Sequence, residues 1–297
     1  MQHLFRSLMF IPAHNEHLMD NAANKFNPDI YLFDLEDSVP SCDKQKARDN
    51  IKRFVSEGKF DGKVLYPRVN DRESGELLQD LYQLTIPGIE GFMYPKSIKG
   101  EDVYFVGKLL ETIEYEKHIP IGTYKLIPLI ETAGAIINIK DICTACTRVV
   151  AVAFGCEDYV TDIQGRRDIE GESIFTARSI VSIAARAAGI YPIDTIHTRV
   201  HDLDDLEKNL RLSKKLGFEG MLVLNPSELS LVHQYYSLSD EEIKWAEEVV
   251  AFSEASSSQG RGVALDSGRF VGPPKVKQAK SMLEKARIQK LFENKSR

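Results

Sequence analysis

Ile30–Asp37 reads I-Y-L-F-D-L-E-D, an apolar run that ends abruptly in carboxylates. An apolar run without alternation suits a strand buried on both faces, as strands of parallel sheets are. Charges just past its end, Asp34, Glu36 and Asp37, then sit on a rim outside the core. The same pattern recurs at Leu8–Ile11, Val64–Tyr66, Gly91–Tyr94, Leu126–Ile130, Val149–Phe154 and Met221–Leu224, with a weaker run near Thr195–His197. Arg68, Lys96, Glu131 and the pair Glu157/Asp158 follow such runs closely. Helical periodicity fills the gaps at Lys44–Glu57, Leu77–Leu84, Val103–Glu116, Ala133–Thr144, Ile174–Ala188 and Leu203–Leu216. Strand–helix alternation repeated this often predicts an α/β fold, a TIM (β/α)8 barrel.

The pattern changes after Pro226. Asp240–Glu254 reads as a helix with Ser239 or Asp240 as its N-cap. Ser256–Gly272 is rich in Ser and Gly, and a last helix is expected over about Lys275–Phe292. The expected organisation is a barrel domain over 1–236 and a C-terminal helix–loop–helix extension over 237–297, with a mobile loop near 256–272.

The chain has 297 residues, 43% hydrophobic and 28% charged, the balance of a globular protein with a large core. A net charge of -6 disfavours a nucleic-acid partner. No apolar run approaches the roughly 20 residues of a membrane helix, and a strand begins almost at once, so a cytoplasmic protein is expected. Cys143 and Cys146 form a lone C-x-x-C; without a second one or a His pair nearby, buried thiols are expected rather than zinc. His197 and His201 lack the Glu of an H-E-x-x-H motif. No Gly-rich dinucleotide or phosphate loop follows the first strand.

Each rim residue has two readings. Glu131 and Asp158 close neighbouring strands, and two carboxylates completed by water and substrate oxygens commonly hold Mg2+. Equally, Asp and Glu are favoured at helix starts. The Arg68 fork suits a carboxylate, from a substrate or from Glu36 or Asp37. Lys96 can pair with Glu36 or meet a substrate anion. Glu36 and Asp37 would face opposite sides of an extended strand, unless a turn there brings both to the site. Arg6 precedes the first strand, at the bottom of a barrel, where position argues against catalysis.

Ordered motifs then carry a resemblance: R-S-L-M-F-I-P (Arg6–Pro12), F-D-L-E-D-S-V (Phe33–Val39), R-V-N (Arg68–Asn70), P-K (Pro95–Lys96), L-I-E-T-A-G (Leu129–Gly134), G-C-E-D-Y-V (Gly155–Val160), and the stretch from E-G-E-S-I-F-T-A-R (Glu170–Arg178) to L-N-P-S-E-L (Leu224–Leu229). The chain resembles the citrate lyase β-subunit family, within the metal-dependent aldolases and malyl-CoA-type lyases. The resemblance implies a TIM barrel binding Mg2+ through Glu131 and Asp158. It implies a substrate site of Arg68, Arg6, Gly155, Cys156, Glu157 and the metal pair, with Glu36, Asp37 and Lys96 in the same pocket. The implied reaction cleaves a citryl, malyl or citramalyl thioester, on CoA or an acyl-carrier protein, into an acyl thioester and oxaloacetate or a related 2-oxo acid. Homotrimers or hexamers, or a citrate lyase-type complex, are implied as assemblies.

Two departures stand out. Relatives that use CoA carry an Asp in a C-terminal D-G-K-M segment; here A-L-D-S-G-R-F-V-G-P-P (Ala264–Pro274) puts Ser267 at that position and Asp266 one residue early. Pro12-Ala13 replaces the usual Pro-Gly. These keep open a class II aldolase acting on free 2-keto acids, and a keto-acid-binding subunit of a larger complex.

Overall fold

A computed structural model describes residues 3–168, 171–258, 264–266 and 269–295. By backbone contact the chain divides into two compact units, Phe5–Gln234 and Tyr235–Arg297 with Met1–Leu4.

The first unit is built on a seven-stranded parallel sheet. Its strands are β1 (Ser7–Pro12), β2 (Ile30–Asp34), β3 (Gly91–Tyr94), β4 (Lys125–Ile130), β5 (Ala151–Phe154), β6 (Tyr191–Asp194) and β7 (Gly220–Val223), in the order β2-β1-β7-β6-β5-β4-β3. Residues 64–69 bridge the two edges. Tyr31 pairs with Leu65, Asp34 with Arg68, and Arg68 with Met93. The Tyr66 and Arg68 amides donate to Tyr31 and Phe33 on one side, and Met93 N–H donates to Pro67 on the other. Pro67 supplies no N–H, so the ladder here is reduced to isolated bridges. The expected barrel therefore closes through its proline-interrupted run.

Helices cover the outside: α1 (Glu16–Lys25), α2 (Lys44–Ser56), α3 (Leu77–Leu84), α4 (Gly100–Glu116), α5 (Ala133–Ile137), α6 (Ile139–Cys143), α7 (Cys156–Asp162), α8 (Glu172–Ala188), α9 (Leu203–Leu216) and α10 (Leu229–Tyr236). Gly189 and Gly217 end α8 and α9 at φ 72° and 92°, where a β-carbon would be strained. One expectation fails: the weak run at Thr195–His197 is not a strand. The strand is Tyr191–Asp194, whose Pro192 weakens the sequence signal, and Thr195–His197 lie on the rim beyond it.

The barrel interior sets the site. Leu8, Ile30, Leu32, Val64, Tyr66, Met93, Ile127, Leu129, Ala151, Ala153, Ile193 and Leu222 form one buried cluster. Strand side chains alternate, so residues two positions further along face inward as well. From Leu32 that position is Asp34, from Tyr66 Arg68, from Leu129 Glu131, and from Ala153 Gly155. The polar site is thus the topmost layer of an otherwise apolar barrel.

In the second unit α11 (Asp240–Ser258) and α12 (Pro273–Lys295) pack through Ala246, Val249 and Ala279. Ser239 caps α11 reciprocally: Glu242 N–H donates to Ser239 Oγ and Ser239 N–H to the Glu242 carboxylate. The stretch 256–272, expected as a loop, contains two strands paired antiparallel, β8 (Ala264–Asp266) and β9 (Arg269–Val271). Asp266 ends β8 and registers with Arg269; Ser267 lies outside the described residues. Cys143 is buried and Cys146 half-buried, both as thiols.

Candidate active site at the barrel mouth

A cavity of about 460 Å³ opens at the C-terminal ends of the strands, lined among others by Asp34, Asp37, Arg68, Glu131, Glu157 and Asp158. Asp34 is the hub of one side. It accepts Arg68 Nε at 2.7 Å and Nη2 at 2.8 Å, and the backbone amides of Glu36 and Ser38 at 3.0 and 3.1 Å. Although burial opposes ionisation, the Arg68 guanidinium and these donors hold the Asp34 carboxyl below the usual range. The fork of Arg68, expected to take a carboxylate of substrate or of Glu36 or Asp37, is instead filled by Asp34. Its remaining nitrogen Nη1 lies 3.0 Å from Glu36 and 3.2 Å from Asp37. The Phe10 ring lies beneath, 4.8 Å from the guanidinium carbon.

Glu36 and Asp37 were expected on opposite sides of an extended strand. The strand ends at Asp34, and the turn after it brings both carboxylates to Arg68. Lys44 Nζ fixes that turn, donating to the Leu35 and Glu36 carbonyls and to Asn70 Oδ1. Glu36 is buried and Asp37 exposed. Burial raises the Glu36 carboxyl to about 7, against the pull of Arg68 and Lys96. Lys96 Nζ sits 2.8 Å from Glu36 and 3.2 Å from Asp71, the pairing its alternative reading anticipated.

Glu131 stands across the cavity, 2% exposed. It does not cap α5: the Thr132 side chain does, accepting from Ala135 N–H. Its carboxylate instead accepts the backbone N–H of Lys96 at 2.5 Å. Lys96 has φ 52°, a left-handed conformation costly for a non-glycine residue, and this backbone carries that donor. Burial lifts the Glu131 carboxyl to about 8, helped by the charges of Glu36 and Asp158. Asp158 lies in the first turn of α7, so its helix-start reading and its place on the cavity wall both hold. A β-carbon on Gly155 would come within 2.9 Å of Glu131 Oε2, so only glycine leaves that carboxylate its space.

The residues fit a hard divalent cation. Glu131, buried, and Asp158 line one cavity and repel one another, a pair of charges that a divalent cation would offset. Among the described residues no three His, Cys, Asp or Glu side chains form a closed cage. Two carboxylates with an open shell are the Mg2+ pattern rather than that of a structural zinc site.

Other expectations change. Arg6 is not in the site. It lies before β1, at the opposite end from Asp34, where Asp29 accepts its Nε and Nη2 at 2.9 and 2.7 Å. Cys156 lines the cavity but is no thiolate; burial raises its thiol to about 12, and its N–H donates to Thr195 Oγ1. Glu157 is an exposed member of the wall, with Arg167 Nε 3.3 Å away. Asp34 was legible as part of the rim, yet its partnership with Arg68 became visible only with inward parity. Arg167 carried no signal, being one of two arginines in a polar loop.

Behind the wall, His197 is buried between Asp205, whose Oδ2 is 3.0 Å from Nε2, and Glu228, whose Oε1 is 3.5 Å from Nδ1. Burial opposes its charge, but the two carboxylates outweigh burial and raise the imidazole above its usual value. It follows Ile196 in sequence, and Glu228 lies shortly after Leu224; Ile196 and Leu224 both line the cavity. A raised folded-state pKa stabilises fully below the unfolded value near 6.5 and fades as pH rises through the folded one. His197→Gln is therefore expected to lose about 1–3 kcal/mol at pH 6 and clearly less at pH 9, measured by urea unfolding.

Residues 6–226 match the family model described as HpcH/HpaI aldolase/citrate lyase. The chain belongs to this family. It is 29% identical over 293 residues to the citrate lyase subunit beta of Leuconostoc mesenteroides subsp. cremoris, covering 99% of this chain and 97% of that one. It is 28% identical to the mitochondrial citramalyl-CoA lyase of Homo sapiens, covering 93% of this chain and 84% of that one. The structure of CitE from Mycobacterium tuberculosis in complex with magnesium, acetoacetate and coenzyme A superposes with a TM-score of 0.76 at 25% identity, covering 96% and 99% of the two chains. A citrate lyase from Burkholderia xenovorans LB400, 19% identical, shares the fold with a TM-score of 0.84 over 95% and 92%. The resemblance read from the sequence, the barrel and the class of carbon–carbon lyase all stand.

Proposed function

We propose that this protein is a Mg2+-dependent lyase that cleaves a 3-hydroxy-acyl thioester into an acyl thioester and a 2-oxo acid, with the citryl thioester and oxaloacetate as the leading pair. The observation that carries this reading is the buried Glu131 carboxylate, which lines the cavity together with Asp158 and feels its charge. Similarity to citrate lyase β-subunits and citramalyl-CoA lyase supports a thioester substrate.

Glu131 and Asp158 would hold the ion. When bound, Mg2+ polarises the oxygen that becomes the carbonyl and neutralises the adjacent carboxylate. The chain's own residues handle the rest. Asp37, exposed on the cavity wall and touching Arg68 Nη1, is placed to accept the hydroxyl proton. The bond between the hydroxyl-bearing carbon and the thioester α-carbon then breaks. Its electrons pass to the thioester as an enolate, which takes up a proton to give the acyl thioester. Arg68, its fork held by Asp34, keeps positive charge beside the developing oxyanion. Lys96 holds Glu36 and, through its backbone, orients Glu131. Asp266 is a candidate proton donor lent by a neighbouring subunit, and a homotrimer, hexamer or citrate lyase-type complex is the assembly this reading favours.

The test is direct. Purified protein with Mg2+ is given citryl-, malyl- and citramalyl-CoA, and release of the 2-oxo acid is followed. Cleavage of at least one, abolished by EDTA and restored by Mg2+, is expected. No turnover of any of them, together with hydrogen exchange of the pyruvate methyl group, would instead indicate an aldolase acting on free keto acids.

A further inference from the structure

Arg167 lies in the loop after α7, its guanidinium 3.3 Å from the Glu157 carboxylate and near enough to act on the Cys156 thiol. Glu157 and Cys156 both line the cavity. Nε and Nη1 of Arg167 are buried and have no aligned hydrogen-bond partner among the described residues. The Glu157 contact has ion-pair distance without hydrogen-bond alignment, and that carboxylate is 52% exposed. Buried guanidinium donors without acceptors are costly unless a ligand supplies them.

Two nearby cations among the described residues, Arg68 and Lys96, are committed. Asp34 fills the Arg68 fork, and Glu36 and Asp71 hold Lys96. A 2-oxo acid with one carboxylate would be served at Glu131 and Asp158 through the bound ion. A second carboxylate would enter a wall already carrying Asp37 and Glu157, and it needs a cation with donors to spare. We infer that Arg167 is a specificity-determining residue that binds the additional carboxylate of a dicarboxylic 2-oxo acid and of its parent hydroxy-acyl thioester. This assignment rests on the proposed function and narrows it, since a methyl or hydrogen in place of the carboxymethyl group leaves Arg167 without a ligand.

The test is calorimetric binding of oxaloacetate and pyruvate to the full-length, Mg2+-loaded protein and to Arg167→Gln and Arg167→Lys. A charge-assisted contact predicts that the wild type binds oxaloacetate about tenfold or more tightly than pyruvate. Arg167→Gln brings that ratio to within about threefold by weakening oxaloacetate alone, and Arg167→Lys falls between. An unchanged ratio in Arg167→Gln, equal weakening of both acids, or no preference in the wild type overturns the assignment. If neither acid binds the Mg2+-loaded wild type, the proposed function itself falls, and the Arg167 role with it.

Discussion

Glu131→Gln is expected to abolish Mg2+ binding at millimolar concentrations and to lower turnover on the order of a thousandfold, about 4 kcal/mol of transition-state stabilisation. The substitution keeps the size of the side chain and an oxygen for the Lys96 amide, so the barrel mouth is not emptied. What disappears is the negative charge that faces the cavity. Stability supplies the control. In the metal-free protein burial raises the Glu131 carboxyl from 4.5 to about 8. A carboxyl with a raised folded-state pKa favours the neutral form, so its ionisation costs stability increasingly as pH climbs from the unfolded value to the folded one. In EDTA at pH 9, Glu131→Gln is therefore expected to melt no lower than the wild type, and the difference to vanish near pH 4.5. Calorimetric Mg2+ titration and thermal unfolding check both halves. A variant that binds Mg2+ normally, or that melts well below the wild type at pH 9, contradicts the proposal that Glu131 is a metal ligand.

The legibility of this site in the sequence follows from barrel geometry. Apolar runs with no alternation marked strands buried on both faces, and the charge after each run marked the rim. Glu131, Asp158 and Arg68 were found that way. The limits are equally physical. Pro192 within β6 displaced the seventh strand by a few residues, because a residue without N–H does not read as a central strand. Only the structure shows that the chain turns after Asp34, so that Glu36 and Asp37 converge instead of alternating, since strand alternation ends where the strand does. Arg6, which the resemblance had put in the site, lies before the first strand and so at the bottom of the barrel, as its position implied, and its pairing with Asp29 agrees. Pairings such as Arg68 with Asp34 join residues far apart in sequence, and no local pattern reports which partner a fork will take.

That pairing changes what Arg68 is expected to do. A guanidinium clamp on the substrate carboxylate requires two parallel donors, and here Nε and Nη2 are both given to Asp34. Asp34 in turn holds the amides of Glu36 and Ser38, so surrendering the fork would loosen the turn that carries Asp37. Arg68 therefore acts through Nη1, as a fixed positive charge that gathers Glu36 and Asp37. Lysine keeps a charge but offers no planar fork, so Arg68→Lys leaves at least one Asp34 oxygen with only its backbone amide donor and releases at least one of the other carboxylates. Breaking buried pairs of this kind costs about 3–5 kcal/mol when a partner is removed outright, and the retained charge places Arg68→Lys near the lower end. The expected kinetic signature is a fall in kcat of roughly a hundredfold with KM changed less than about fivefold. Steady-state kinetics on the folded variant separate the alternatives: a KM increase that accounts for most of the loss would show that the substrate displaces Asp34 and takes the fork for itself.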